Sequence, residues 1–208
     1  MLSRLSTDTL REVWRTGLIA LLMLLWGCAS GPPAPADGDA TTIPPQARTL
    51  YEQAAAAMAA GDKVDAELRF QEFLLRYPDY PGAHVNLAIL HAQAGDDAAA
   101  EERIEAALAL DAAHPAALNQ LGMLRRRQGR FEDAEAAYRQ ALAADPDYAL
   151  AHYNLGVLSE LYLQRLEQAL THFQRYQELT GEDEEVGRWI IDLERRVAAN
   201  QRTANVTE

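Results

Sequence analysis

Cysteine, lysine and serine are all scarce in this chain of 208 residues. There is one cysteine, Cys28, and Lys63 is the only lysine. A lone thiol has no disulfide partner within its chain, so no covalent framework is expected to hold the fold. Nineteen Lys and Arg face 31 Asp and Glu, a formal net charge of −12. That excess repels phosphate backbones, so nucleic acid is not an expected partner. Beyond residue 27 the only serines are Ser30 and Ser159, and neither sits in a GxSxG turn. A phosphate loop and a Rossmann glycine pattern are also missing, and the five histidines do not form HExxH. These absences remove the usual footing for nucleophilic, nucleotide-dependent and zinc-hydrolase chemistry. The expectation is a non-catalytic chain that needs neither cofactor nor metal.

Long apolar runs are lacking too. The uninterrupted run Leu18 to Trp26 is nine residues long, against the roughly 20 that cross a bilayer as a helix. Arg4, Arg11 and Arg15 precede it, diluted by Asp8 and Glu12, and small residues close it. This is the pattern of an export signal, placed at residues 1–27. The closing "LWGC", Leu25 to Cys28, resembles the lipobox of bacterial lipoproteins, although Trp26 is larger than that family prefers. The resemblance implies a diacylglycerol on Cys28 and cleavage before it. Two or more acyl chains anchor stably where one does not. Ala29 after the cysteine, where an Asp would resemble an inner-membrane retention signal, favours the bacterial outer membrane. The alternative is ordinary cleavage after "GCA" or "CAS", leaving a soluble periplasmic ligand-binding or enzyme-accessory protein.

Residues 1–27 hold three arginines and two acids, so the remainder keeps 16 basic and 29 acidic residues, a net charge near −13. Residues 28–46 join the cysteine to a Pro/Ala/Gly-rich linker. Eighteen such residues span roughly 25 Å as a coil and about 55 Å as polyproline II.

What the chain does have is a period. Gly61, Gly95 and Gly129 are 34 residues apart, as are Ala66, Ala100 and Ala134, and Phe70, Ile104 and Tyr138. Each unit reads as two helices and a turn. In the third, Pro115 suits a first helical position and Gly129 a left-handed turn. Leu118, Leu121 and Leu124 make one apolar face, and Phe131, Ala134, Tyr138, Ala141 and Leu142 the other. Gly122 and Ala134 are small enough for close approach, with Tyr138 filling the adjoining space. The series Leu118, Leu121, Gly122, Gly129, Ala134, Tyr138, Ala141 and Pro146 resembles the tetratricopeptide repeat. The resemblance implies an all-α solenoid of about four repeats, at 47–80, 81–114, 115–148 and 149–182.

The end units depart from the pattern. The first has Gln53-Ala54 for Leu-Gly. The fourth places Ala169 thirteen residues after Gly156, one more than the third, so one residue is inserted between its helices. Val186, Trp189, Ile190, Leu193 and Val197 make a helical stripe, read as a capping helix over 183–199 with a flexible tail over 200–208.

By family register the concave, partner-binding groove takes Tyr51, Asn86, Asn119, Met123, Arg126, Arg127, Tyr153 and Asn154. Asn86 and Asn154 fit either peptide-backbone binding or support of the fold. Arg126 and Arg127 fit either a grip on a carboxylate or salt bridges with Glu160 and other acids of the next helix. His84 and His152, at equivalent positions, read as structural. The function expected is a lipid-anchored scaffold that recruits an envelope protein or peptide, in the manner of pilotins or of adaptors for peptidoglycan enzymes. Self-association is compatible with so short an array.

Overall fold

The computed structural model describes residues 44–181 and 183–206, which fold into nine α-helices and no strands. Cys28, the segment expected to be an export signal and most of the expected linker lie outside these residues. The helices are α1 (Pro45–Ala59), α2 (Lys63–Arg76), α3 (Pro81–Ala94), α4 (Asp97–Leu110), α5 (Pro115–Arg127), α6 (Phe131–Ala144), α7 (Ala149–Leu161), α8 (Leu166–Thr180) and α9 (Glu184–Val206). The first eight pair as antiparallel hairpins, the first helices of neighbouring hairpins lie side by side, and α9 packs on α8.

Local chemistry sets the helix ends. Pro45, Pro81 and Pro115 open α1, α3 and α5, where a missing N–H costs no helical bond. Gly61, Gly95 and Gly129 turn the chain with φ of 79°, 82° and 75°. Asp62 and Asp96 then cap α2 and α4, accepting from the Asp65 and Ala99 amides at 3.1 and 3.0 Å. The fourth hairpin makes this turn without a glycine. Its extra residue lies in the turn after α7, where Gln164 adopts φ 55° and donates to the Glu160 and Leu161 carbonyls. Those bonds satisfy helix-end carbonyls that a glycine would leave to water.

Each hairpin closes on a small residue. Gly122 faces the Tyr138 ring so closely that a Cβ there would lie 2.4 Å from Cε1, and Gly156 meets Phe173 in the same way at 2.7 Å. Tyr138 and Phe173 are fully buried. Burying the Phe173 side chain stabilises by about 1.5–3 kcal/mol, whereas the buried Tyr138 hydroxyl has no hydrogen-bond partner among the described residues and offsets part of its ring's gain. The core is a chain of such clusters rather than one centre, and α9 ends it. Val186, Ile190, Leu193 and Val197 pack on Leu166, Ala169 and Phe173, with Trp189 at the side, its ring 5.5 Å from Phe173. The helix continues to Val206, so the tail expected from residue 200 is helical through 206. The segment Ala198 to Val206 holds no proline or glycine to stop it.

Gly122→Ala is expected to destabilise by about 1–3 kcal/mol, the usual range for overpacking a filled interior. Adding Tyr138→Leu should recover much of that loss. Urea unfolding of the single and double variants checks both, and strict additivity would mean that the two residues do not constrain each other.

Candidate protein-binding groove

The first helices α1, α3, α5 and α7 stand next to one another and carry the candidate groove residues. Their polar side chains pair across neighbours at an offset of 35 residues. Asn86 donates to the Tyr51 hydroxyl at 2.8 Å, and Asn154 donates to Asn119 Oδ1 at 2.9 Å. Asn119 is 1% exposed and Asn154 6%, and the Asn119 amide also faces Met123 Sδ at 3.8 Å. Buried amides need such partners, because leaving one unmade costs about 1–3 kcal/mol. Asn119 and Asn154 therefore hold α5 to α7 beneath the surface, which is the fold-supporting one of the two roles that Asn154 fits by sequence. Asn86 is half-buried above Tyr51, whose ring packs edge-on against Phe70 and Phe73.

Between α3 and α5 this ladder is interrupted. The residue aligned to donate is Gln120, and the one aligned to accept is Val85, whose side chain has no acceptor. Beside the interruption a small pocket opens among α3, α4 and α5, walled by Ala88, Ala92, Ala100 and Ile104, with Gln120, Met123, Leu124, Arg126 and Arg127 on the α5 side. Three alanines leave the space that larger side chains would fill. Met123, a candidate from the sequence, lines this cavity together with Gln120, and the alanines that open it carry no polar group to mark them in the sequence.

The arginine triplet separates into two roles. Arg125 pairs with Glu101 at 2.7 Å, while Arg127 pairs with Asp97 at 2.5 Å and donates to the Ala92 carbonyl at 2.9 Å. Both acids belong to α4, the preceding hairpin. Glu160, the acid expected to take an arginine of α5, pairs instead with Arg196 of α9 at 2.5 Å. Arg127 is therefore a brace with its charge already met, and the two-guanidinium clamp reduces to one member. Arg126 is half-buried and forms no ion pair among the described residues. Its charge falls near two phenols, Tyr138 and Tyr153, where it acts against the upward shift that burial imposes on each. Burial pushes Tyr138 up to about 12.

Tyr153 sits at the cap, its ring 5.3 Å from Tyr176 and 6.1 Å from Trp189. It shapes the C-terminal wall of the groove more than it offers a free edge. His84 and His152 face the carbonyls of Pro78 and Pro146, six residues upstream in each case, the second at 3.0 Å from Nε2. His152 Nδ1 also meets His172 Nδ1 of α8 at 3.0 Å, a contact that no pattern within one repeat announces. Near it, Glu135 of α6 is 8% exposed and binds both Arg139 and Arg165, at 2.7 and 2.8 Å.

A search of curated proteins finds no match. The tetratricopeptide repeat family model matches residues 45–118 and 119–184. The chain belongs to the tetratricopeptide repeat family. Among solved structures it is similar to Pseudomonas aeruginosa pilF, with 22% identity and a TM-score of 0.65 over 74% of this chain and 69% of that one. It is similar to a thermophilic TPR protein of Thermus thermophilus, with 21% identity and a TM-score of 0.61 over 71% and 80%. It is also similar to the first TPR of Spaghetti (RPAP3) bound to the HSP90 peptide SRMEEVD, with 19% identity and a TM-score of 0.53 over 57% and 95%. At these identities the likeness is one of fold.

His172 supplies a pH test. Burial, then His152 and Arg139, hold its pKa down from 6.5 to about 4. In that window the unfolded chain binds more protons than the folded one, so this group's contribution to stability falls as pH drops from 6.5 toward 4 and is constant above. His172→Phe should therefore lose less stability than the parent chain between pH 7 and pH 5, read as the shift of the urea midpoint. Equal shifts would show that this imidazole is not titrating in a buried site.

Proposed function

We propose that the chain is a lipid-anchored, non-catalytic scaffold of the bacterial outer membrane, facing the periplasm, that recruits or positions an envelope protein by binding an acidic segment of it in the groove. The observation that carries this reading is Arg126, a half-buried guanidinium without an ion pair among the described residues, at a small pocket opened by three alanines in a chain of net charge −12. An arginine is suited to a carboxylate, which it can hold through two parallel hydrogen bonds. The surrounding negative charge discourages acidic partners elsewhere and confines them to this place. Support for peptide binding comes from the fold shared with the RPAP3 repeat, whose bound peptide SRMEEVD carries two glutamates and a terminal aspartate.

The anchor rests on "LWGC" ahead of the linker. Pilotin-like delivery of a secretin subunit and recruitment of peptidoglycan enzymes are the two roles that fit such a scaffold. A pilotin-like protein binds the extended tail of its cargo; an adaptor binds folded enzymes and its loss alters cell-wall turnover.

The test is crosslinking and capture from intact envelopes with Arg126→Glu beside the parent chain. Arg127 is left in place, because its pairing with Asp97 braces the fold. A partner held by the parent and reduced at least about tenfold by Arg126→Glu, with helicity unchanged, is the expected result; tenfold corresponds to about 1.4 kcal/mol. Equal capture would move binding off this groove. Labelling with a fatty acid, lost in Cys28→Ser, reads the anchor separately.

A further inference from the structure

The second helix of each hairpin turns one face outward, and the repeat makes these faces comparable. In α2 that face carries Val64, Leu68 and Leu75, which are 71%, 60% and 86% exposed. At about 100° per residue they lie within about 40° of one another around the helix. The equivalent exposed positions are Ala98, Glu102 and Ala109 in α4, Glu132, Ala136 and Ala143 in α6, and Glu167, Thr171 and Glu178 in α8. Large aliphatic chains fill this stripe in the first hairpin only. Scattered surface leucines are ordinary, but an aligned apolar set that three sibling helices replace by alanine, threonine and glutamate marks a face with something to cover.

Alongside the stripe run Asp65, Arg69, Glu72 and Arg76, alternating in sign. Within the chain Arg69 pairs with Asp65 at 2.6 Å and Arg76 with Glu72 at 2.8 Å. The order acid, base, acid, base becomes its own complement when reversed. A two-fold axis across the helix would set Asp65 against Arg76 of a second copy and Arg69 against Glu72. The same axis leaves Val64 offset by two residues, about 3 Å of helix rise, from Leu75 of the second copy, and Leu68 by the same amount from Gln71. A patch that matches its own reverse is what an isologous contact requires.

We propose that the chain dimerises through antiparallel packing of α2 against α2 of a second copy, centred on Val64, Leu68 and Leu75. One helix of four turns per copy covers less than the roughly 1,200–2,000 Å² of a stable interface. The dimer is therefore weak and concentration-dependent, and it leaves the groove on the opposite helices open.

The test uses full chains carrying different tags, one with Val64→Cys and one with Leu75→Cys, expressed together and crosslinked in intact cells with a short bis-maleimide. The expected result is a mixed product, joining position 64 of one chain to position 75 of the other. It should stand several-fold above either same-site product and above the background set by Cys28 in the parent chain. Adding Leu68→Glu to both chains should cut it at least about tenfold. Arg69→Glu should weaken it, and Arg69→Glu with Glu72→Arg should restore it, a rescue that general misfolding cannot produce. Equal products at all sites, none above background, or products with another protein in place of the second copy would overturn the proposal.

Discussion

The contact on which the rest of the structure depends is the closure of a helix pair on an aromatic ring. Where Gly122 meets Tyr138 and Gly156 meets Phe173, the ring occupies the space a Cβ would take. This sets how near the two helices stand, and hence which surface the hairpin offers to the next. In the second hairpin the same places hold Ala88 and Ile104, both nearly fully buried, so a larger small residue goes with a smaller filler. The first hairpin departs from that exchange, combining Ala54 with a full-sized Phe70, both fully buried. Interior packing at crystal-like density makes these pairs interdependent. Stability then accumulates from each hairpin and each junction, as it does in any linear repeat.

Stacking at that distance brings the first helices side by side and gives their polar residues neighbours 35 positions away. Tyr51 with Asn86, and Asn119 with Asn154, satisfy amide groups that burial would otherwise strand. Where Val85 interrupts the series, the junction is held instead from its edges, by Arg125 to Glu101 and Arg127 to Asp97. The pocket and Arg126 lie between those braces. A fold that commits most of its buried polar groups to itself leaves few with which to meet a partner, and among the arginines of the first helices only Arg126 is without an ion pair among the described residues.

The two surfaces of the array accordingly differ in chemistry. The groove side presents Arg126 at a pocket opened by three alanines, whereas the positions of α4, α6 and α8 equivalent to Val64, Leu68 and Leu75 hold alanine, glutamate or threonine. The outward face of α2 is the exception, with Val64, Leu68 and Leu75 beside a row of alternating charges. The C-terminal end is closed by the aromatic cluster around Trp189 and by Arg196 holding Glu160. Both ends thus depart from the repeat, one by sealing the core and one by exposing an apolar stripe.

The features legible in the sequence were those whose cause is local or strictly periodic. Pro115 at a helix start, Gly129 in a left-handed turn, the small residue facing Tyr138 and the stripe from Val186 to Val197 follow from backbone sterics and helical spacing, which neighbouring residues settle among themselves. The insertion in the fourth unit was visible as a count, but not that Gln164 would take the left-handed turn and cap α7 with its own amide. The site was less legible. Family register brought Met123, Arg126 and Arg127 to the pocket, but it does not show that Asn119 and Asn154 are buried in the stack or that Arg127 pairs with Asp97. Sequence by itself determined the helices, their pairing and the period, because each is decided within a few turns of chain. Only the tertiary structure decided which polar groups remain available, because that depends on partners a whole repeat away and on the water that packing removes.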